Sequence, residues 1–90
     1  MLYSVDIGKN IVYLRDFREI SQEELSFVSD ISTSRLRDIE HGCANPTIDT
    51  LESISIALCV PLPVLFLLHL SDDDVLEMLY LVRPNVPVLL

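Results

Sequence analysis

Histidine and cysteine side chains are the first candidates for chemistry in this sequence, because both residue types ligate metals. His41 and Cys43 are two positions apart, whereas Cys59 and His69 stand alone. Common zinc sites draw their ligands from closely spaced pairs, and this spacing fits none of the common patterns. Cys59 is also expected to be buried at a helix end. We therefore predict no metal site.

Acidic and nucleophilic side chains form no recognisable catalytic arrangement. The three carboxylates at 72–74 follow Ser71, and a cap followed by acids is typical of a helix start, because negative charge is favoured at the positive end of the helix dipole. No Ser/His/Asp arrangement, phosphate loop or catalytic carboxylate pair stands out. The sequence therefore predicts no enzyme and no cofactor.

Composition limits the class of protein. The chain has 90 residues, enough for one small domain, and 50% of them are hydrophobic, with a mean hydropathy of +0.42. That is too apolar for disorder. The 14 acidic against 6 basic residues give a net charge of −8, which argues against binding nucleic acid or anionic lipid by bulk charge. Two cysteines form no disulfide framework, so a cytoplasmic location is expected.

An uncharged run of 19 residues, Ser53–Ser71, approaches the roughly 20 residues that span a bilayer. Pro61 and Pro63 interrupt it, and proline within a helix costs about 3 kcal/mol. We interpret the run as two buried helices and expect no membrane association. No signal peptide is apparent at the amino terminus.

Apolar residues at helical spacing predict an all-α fold. Ser21 and Glu24 form a capping box before the second helix, Ser32 and Thr47 cap the third and fourth, and Gly42 ends the third. The predicted helices are about residues 6–18, 22–29, 33–41, 48–58, 62–68 and 72–82. Their expected core residues are Ile7, Ile11, Leu14, Leu25, Val28, Leu36, Ile39, Leu51, Ile54, Leu58, Leu65 and Phe66.

The second and third helices form a helix–turn–helix pattern. Ser26 is the small residue where the two helices cross, and Asp30 is a turn residue that tolerates the left-handed conformation. Ile31 and Leu36 are expected to hold the third helix against the second.

A set of short motifs carries a family resemblance: Ile7-Gly8, Leu14-Arg15, Ser21-Gln22-Glu23-Glu24-Leu25, Ile39-Glu40-His41-Gly42, Asn45-Pro46 and Leu58-Cys59-Val60. In order and spacing they resemble the Cro/phage-repressor (XRE) type of helix–turn–helix domain over about residues 7–66. The resemblance implies a five-helix lambda-repressor-like DNA-binding domain at residues 1–70. Residues 71–90 add a C-terminal helix and an apolar tail.

The same resemblance implies roles for individual residues. Arg15 and Glu40 match a buried ion pair between the first and third helices, although both also fit as surface charges. The exposed face of the third helix would enter the major groove of double-stranded DNA. Its implied base contacts are Thr33, Ser34, Arg37 and Asp38, and the implied phosphate contacts are Gln22, Arg35, His41 and Asn45.

Charge location qualifies the acidity. Residues 1–70 hold ten acidic and five basic side chains. Between residues 32 and 47 only Asp38 opposes Arg35 and Arg37 once Glu40 is assigned to Arg15. The expected DNA surface is therefore about neutral or weakly basic, which predicts weak non-specific binding and a shallow salt dependence.

The carboxyl-terminal segment carries more apolar surface than one small domain covers. We expect it to form a homodimer, with packing on the first and fifth helices as the alternative. The dimerisation residues are Val75, Leu79, Val82, Val86 and Val88. The predicted function is a dimeric, sequence-specific transcriptional repressor that reads an inverted-repeat operator. The alternative is an acidic helix–turn–helix protein, such as an antitoxin or anti-factor, that binds a partner protein.

Overall fold

The computed structural model describes residues 4–67, which form α-helices and one 3₁₀ helix and contain no strand. The helices are α1 (Ser4–Phe17), α2 (Gln22–Ser29), α3 (Thr33–Glu40) and α4 (Ile48–Ala57), followed by the 3₁₀ helix (Leu62–Phe66). The all-α class is confirmed. The fifth element is a 3₁₀ helix rather than an α-helix, and the predicted sixth helix lies outside the described residues.

The helix starts are hydroxyl caps. The side chains of Ser21, Ser32 and Thr47 accept hydrogen bonds from the backbone N–H three residues later, which satisfies one free donor at each helix start. All three are cap positions that the sequence predicts, and the further predicted cap, Ser71, lies outside the described residues.

Each of the four α-helices is followed by a residue with positive φ. Glu19, Asp30 and Cys59 adopt φ of 56°, 57° and 58° after α1, α2 and α4, and Gly42 adopts 75° after α3. Asp30 therefore makes the predicted left-handed turn. The prediction that Cys59 is buried is wrong: its side chain is exposed, because the left-handed residue turns the chain while Leu58 and Val60 on either side enter the core.

The core lies between α1, α3, α4 and the 3₁₀ helix, with Leu25 of α2 closing it. Two expected core residues are not in it. Val28 is 64% exposed, because the inward face of α2 consists of Leu25, Ser26 and Ser29. Phe66 is 38% exposed, because the 3₁₀ helix presents Val64 and Leu65 to the core instead.

Gly8 sets the distance between α1 and α3. A Cβ atom at this position would lie 2.5 Å from the carbonyl oxygen of Glu40 and 2.6 Å from that of Ile39. No side chain fits between these backbones, so the glycine lets α1 contact the carboxyl end of α3.

Candidate nucleic-acid interface

The α2–turn–α3 unit is held by one small side chain. Ser26 is 8% exposed, and its hydroxyl donates to the carbonyl oxygen of Ile31 in the turn. The Ile31 N–H donates back to the Ser26 carbonyl at 3.1 Å. The same hydroxyl oxygen accepts from Thr33 Oγ1 at 3.3 Å. A serine here thus fixes both the turn and the first residue of α3.

The third helix has one buried and one exposed side. Leu36, Ile39 and Glu40 are buried. The opposite side carries the residues that were predicted to contact bases or phosphates: Ser34, Arg35, Arg37 and Asp38 are exposed, and Thr33 is half-buried. Within residues 4–67 the guanidinium groups of Arg35 and Arg37 form no ion pair.

Arg15 and Glu40 join the first helix to the third. Arg15 Nε lies 3.0 Å from Glu40 Oε2, and the two side chains are 16% and 4% exposed. Arg15 also donates to the Ile20 carbonyl at 3.1 Å, so its guanidinium is held at both ends. The geometry is that of a buried pair rather than of two surface charges, and it fixes the carboxyl end of α3.

Gln22 joins this pair at the start of α2. Its Nε2 donates to Glu40 Oε1 at 2.7 Å. A glutamine amide has two N–H donors, so one remains for a second acceptor such as a phosphate oxygen. The carboxylate of Glu40 therefore contacts side chains from both α1 and α2.

The loop after α3 carries the two other residues that were predicted to contact phosphates. His41 and Asn45 are both exposed. Asn45 Oδ1 lies 3.5 Å from the hydroxyl of Ser4 at the start of α1. Gly42 packs against Val5, where a Cβ atom would lie 3.0 Å from the Val5 Cα. The loop is thus fixed against the first turn of α1.

Residues 4–67 contain no group of three or more His, Cys, Asp or Glu side chains placed to bind a metal ion. Cys43 and Cys59 are free and exposed. His69 and the carboxylates at 72–74 lie outside the described residues, as do the predicted dimerisation residues Val75, Leu79, Val82, Val86 and Val88. In the same described range, no helix is both long and apolar enough to cross a bilayer.

Sequence reasoning missed one polar anchor. Asn10 is 6% exposed, and its amide donates to the carbonyl oxygens of Leu65, at 2.9 Å, and Leu67. The signal was its position three residues after Ile7 on the buried stripe of α1, where a polar side chain needs a partner.

Comparison with known proteins agrees with this geometry. A family model described as Helix-turn-helix, HTH_3, matches residues 13–65, more than half of the chain. The chain belongs to this family. The HTH_3 family consists of DNA-binding transcription regulators, so the resemblance to XRE-type domains is confirmed. No curated protein matches the chain.

The solved structures that are similar to this HTH_3 chain include the following two. One is the restriction-modification controller protein C.AhdI from Aeromonas hydrophila, with 27% identity and a TM-score of 0.70 over 73% of this chain and 100% of that one. The other is an HTH_3 family transcriptional regulator from Vibrio cholerae, with 28% identity and a TM-score of 0.68. The match covers 72% of this chain and 36% of the Vibrio chain.

Proposed function

We propose that this protein is a sequence-specific, dimeric transcriptional repressor that reads the major groove of double-stranded DNA with α3. The observation that carries the proposal is the exposed face of that helix, where Arg35 and Arg37 are unpaired within residues 4–67. Arginine recognises guanine through two parallel hydrogen bonds, and serine and aspartate offer further contacts to base edges. The likeness to a controller protein and a transcriptional regulator supports the same reading.

The net negative charge of the chain argues against DNA binding, but the charges close to α3 do not. The Glu40 carboxylate is paired with Arg15. Asp38 is then the remaining acidic side chain on α3, beside the basic Arg35 and Arg37. Charges farther away than about 8–10 Å are largely screened at physiological salt. The α3 surface can therefore approach DNA, with few phosphate contacts and a shallow salt dependence.

The dimer is assigned to residues 71–90 because their sequence is apolar beyond the needs of one small domain. Two copies would place two α3 helices on half-sites whose centres are about 10 bp apart. Sedimentation of a chain with Leu79→Asp tests the assignment. A monomer is expected, and an intact dimer would contradict it.

Selection of bound sequences from random duplex DNA at low salt tests the main proposal. We expect an inverted repeat to be enriched. A selection that enriches no sequence over the starting pool would refute DNA reading by this domain.

A protein partner is a second candidate function, favoured by the outer face of α2. Phe27 is 88% and Val28 is 64% exposed, and the exposed carboxylates of Glu23 and Glu24 lie on the same face. Two copies of this acidic face would repel each other. The face therefore fits a partner protein that has basic groups around an apolar pocket. A reporter placed under the selected operator tests this. If a partner binds here, Phe27→Ser changes reporter output and leaves DNA affinity in vitro unchanged, whereas unchanged output contradicts the second function.

A further inference from the structure

The first residue of α3 has a hydroxyl group whose hydrogen is already used. Ser26 Oγ lies within hydrogen-bond distance of the Ile31 carbonyl oxygen, which can only accept. The single hydroxyl hydrogen of Ser26 is therefore committed to that carbonyl. The contact of 3.3 Å between Thr33 Oγ1 and Ser26 Oγ then requires Thr33 to be the donor.

This order of donors limits what Thr33 can read on DNA. A hydroxyl has one hydrogen and two acceptor lone pairs, so Thr33 has no hydrogen left for the acceptors that bases present. These acceptors are guanine O6 and N7, adenine N7 and thymine O4. The oxygen branch of the side chain is held against α2, and the other branch on Cβ is the Cγ2 methyl group.

Ser34 provides the contrast. It is exposed, and no side-chain hydrogen bond engages its hydroxyl within the described part of the chain. Ser34 therefore keeps a free donor for a base or a phosphate. The adjacent hydroxyl residues on α3 thus have different chemistry at the same surface.

We propose that Thr33 reads DNA through its Cγ2 methyl group, which packs against the C5-methyl group of a thymine, and not through a donated hydrogen bond. This inference rests on the proposed function, because it requires α3 to lie in the major groove. It assigns one thymine in each half-site to Thr33 and makes the Ser26–Ile31 contact the reason for that preference.

The test replaces each thymine of one half-site of the selected operator with deoxyuridine, which removes only the C5-methyl group. For the unaltered protein we expect one position at which the replacement weakens binding about fourfold, the value of one buried methyl group. Thr33→Ser keeps the hydroxyl and removes the methyl, and so should abolish the uridine effect at that position. Thr33→Val keeps a methyl in place and should retain it.

Each outcome decides the inference. If Thr33→Ser retains the uridine effect, if Thr33→Val loses it while its melting temperature shows a folded protein, or if no thymine is sensitive, the inference is wrong and the proposed function stands. If selection yields no operator, the proposed function fails and the inference fails with it. A Ser34→Ala variant is the matched control and should leave the uridine effect unchanged.

Discussion

The amide of Gln22 donates to the Glu40 carboxylate at 2.7 Å, on the same carboxylate that pairs with Arg15 at 3.0 Å. The residue expected to contact a phosphate is therefore attached to the buried ion pair of the domain. Glu40 thus contacts one residue expected to matter for stability, Arg15, and one expected to matter for DNA binding, Gln22. Variants of Glu40 and of Gln22 distinguish the two effects.

Glu40→Gln should destabilise the fold, because it removes the buried counter-charge of the Arg15 guanidinium and leaves only the largely exposed carboxylate of Asp16, at 4.0 Å. Breaking such a pair typically costs about 3–5 kcal/mol, which lowers the melting temperature of a domain of this size by about 10 °C or more. Thermal denaturation measures it, with Glu52→Gln on the exposed side of α4 as the control. A Glu40→Gln melt that matches the control would show that the pair contributes no stability.

Gln22→Ala should weaken DNA binding by about tenfold, the value of one hydrogen bond to a charged group. The loss should be similar for operator and unrelated DNA, because a phosphate contact carries no sequence information. Gln22→Glu should be worse, since a second carboxylate would face both Glu40 and the phosphate. Competition binding measures both variants, and a loss confined to the operator would assign Gln22 to base reading instead.

Gly8→Ala should destabilise the domain by about 1–3 kcal/mol, the usual cost of overpacking. The added Cβ atom would lie 2.5 Å from the Glu40 carbonyl oxygen and would force α1 away from α3. Denaturant unfolding measures the loss. Lys9→Ala, at an exposed neighbouring position, is the control and should change little. Equal stabilities of the two variants would contradict the close helix approach.

Cys59→Gly should stabilise the domain by about 1 kcal/mol, because the left-handed conformation at φ 58° strains a cysteine but not a glycine. Little packing is lost, since the side chain is exposed. Melting under reducing conditions should show a rise of about 4 °C. Cys43→Gly should give no such rise, because Cys43 is not among the residues with positive φ. A fall at Cys59→Gly would contradict the strain.

The sequence predicts the helix boundaries and turns more accurately than it predicts which single residues are buried. The caps at Ser21, Ser32 and Thr47 and the turn at Asp30 depend on neighbouring residues, so the sequence alone identified them. The exposure of Val28 depends on which face of α2 meets the core. Two of the three buried residues on that face are serines, so a hydrophobicity pattern does not identify it.

The candidate site divides in the same way. The exposed face of α3 could be predicted from helical periodicity and the family resemblance. The contact of Gln22 with Glu40 and the donor order from Thr33 to Ser26 to Ile31 depend on side-chain positions in three dimensions. The spacing of residues in the sequence does not predict which hydroxyl donates a hydrogen bond to which acceptor.

The most direct test of the central claim is the affinity of Arg37→Ala for the selected operator and for its single-base variants, with Lys9→Ala as a control of equal charge change. Loss of one bidentate guanine contact should weaken binding by about 10- to 100-fold per half-site and remove discrimination at one base pair of each half-site. Lys9→Ala should keep the discrimination of the unaltered protein. If Arg37→Ala discriminates at every position as the unaltered protein does, α3 does not read DNA through this face.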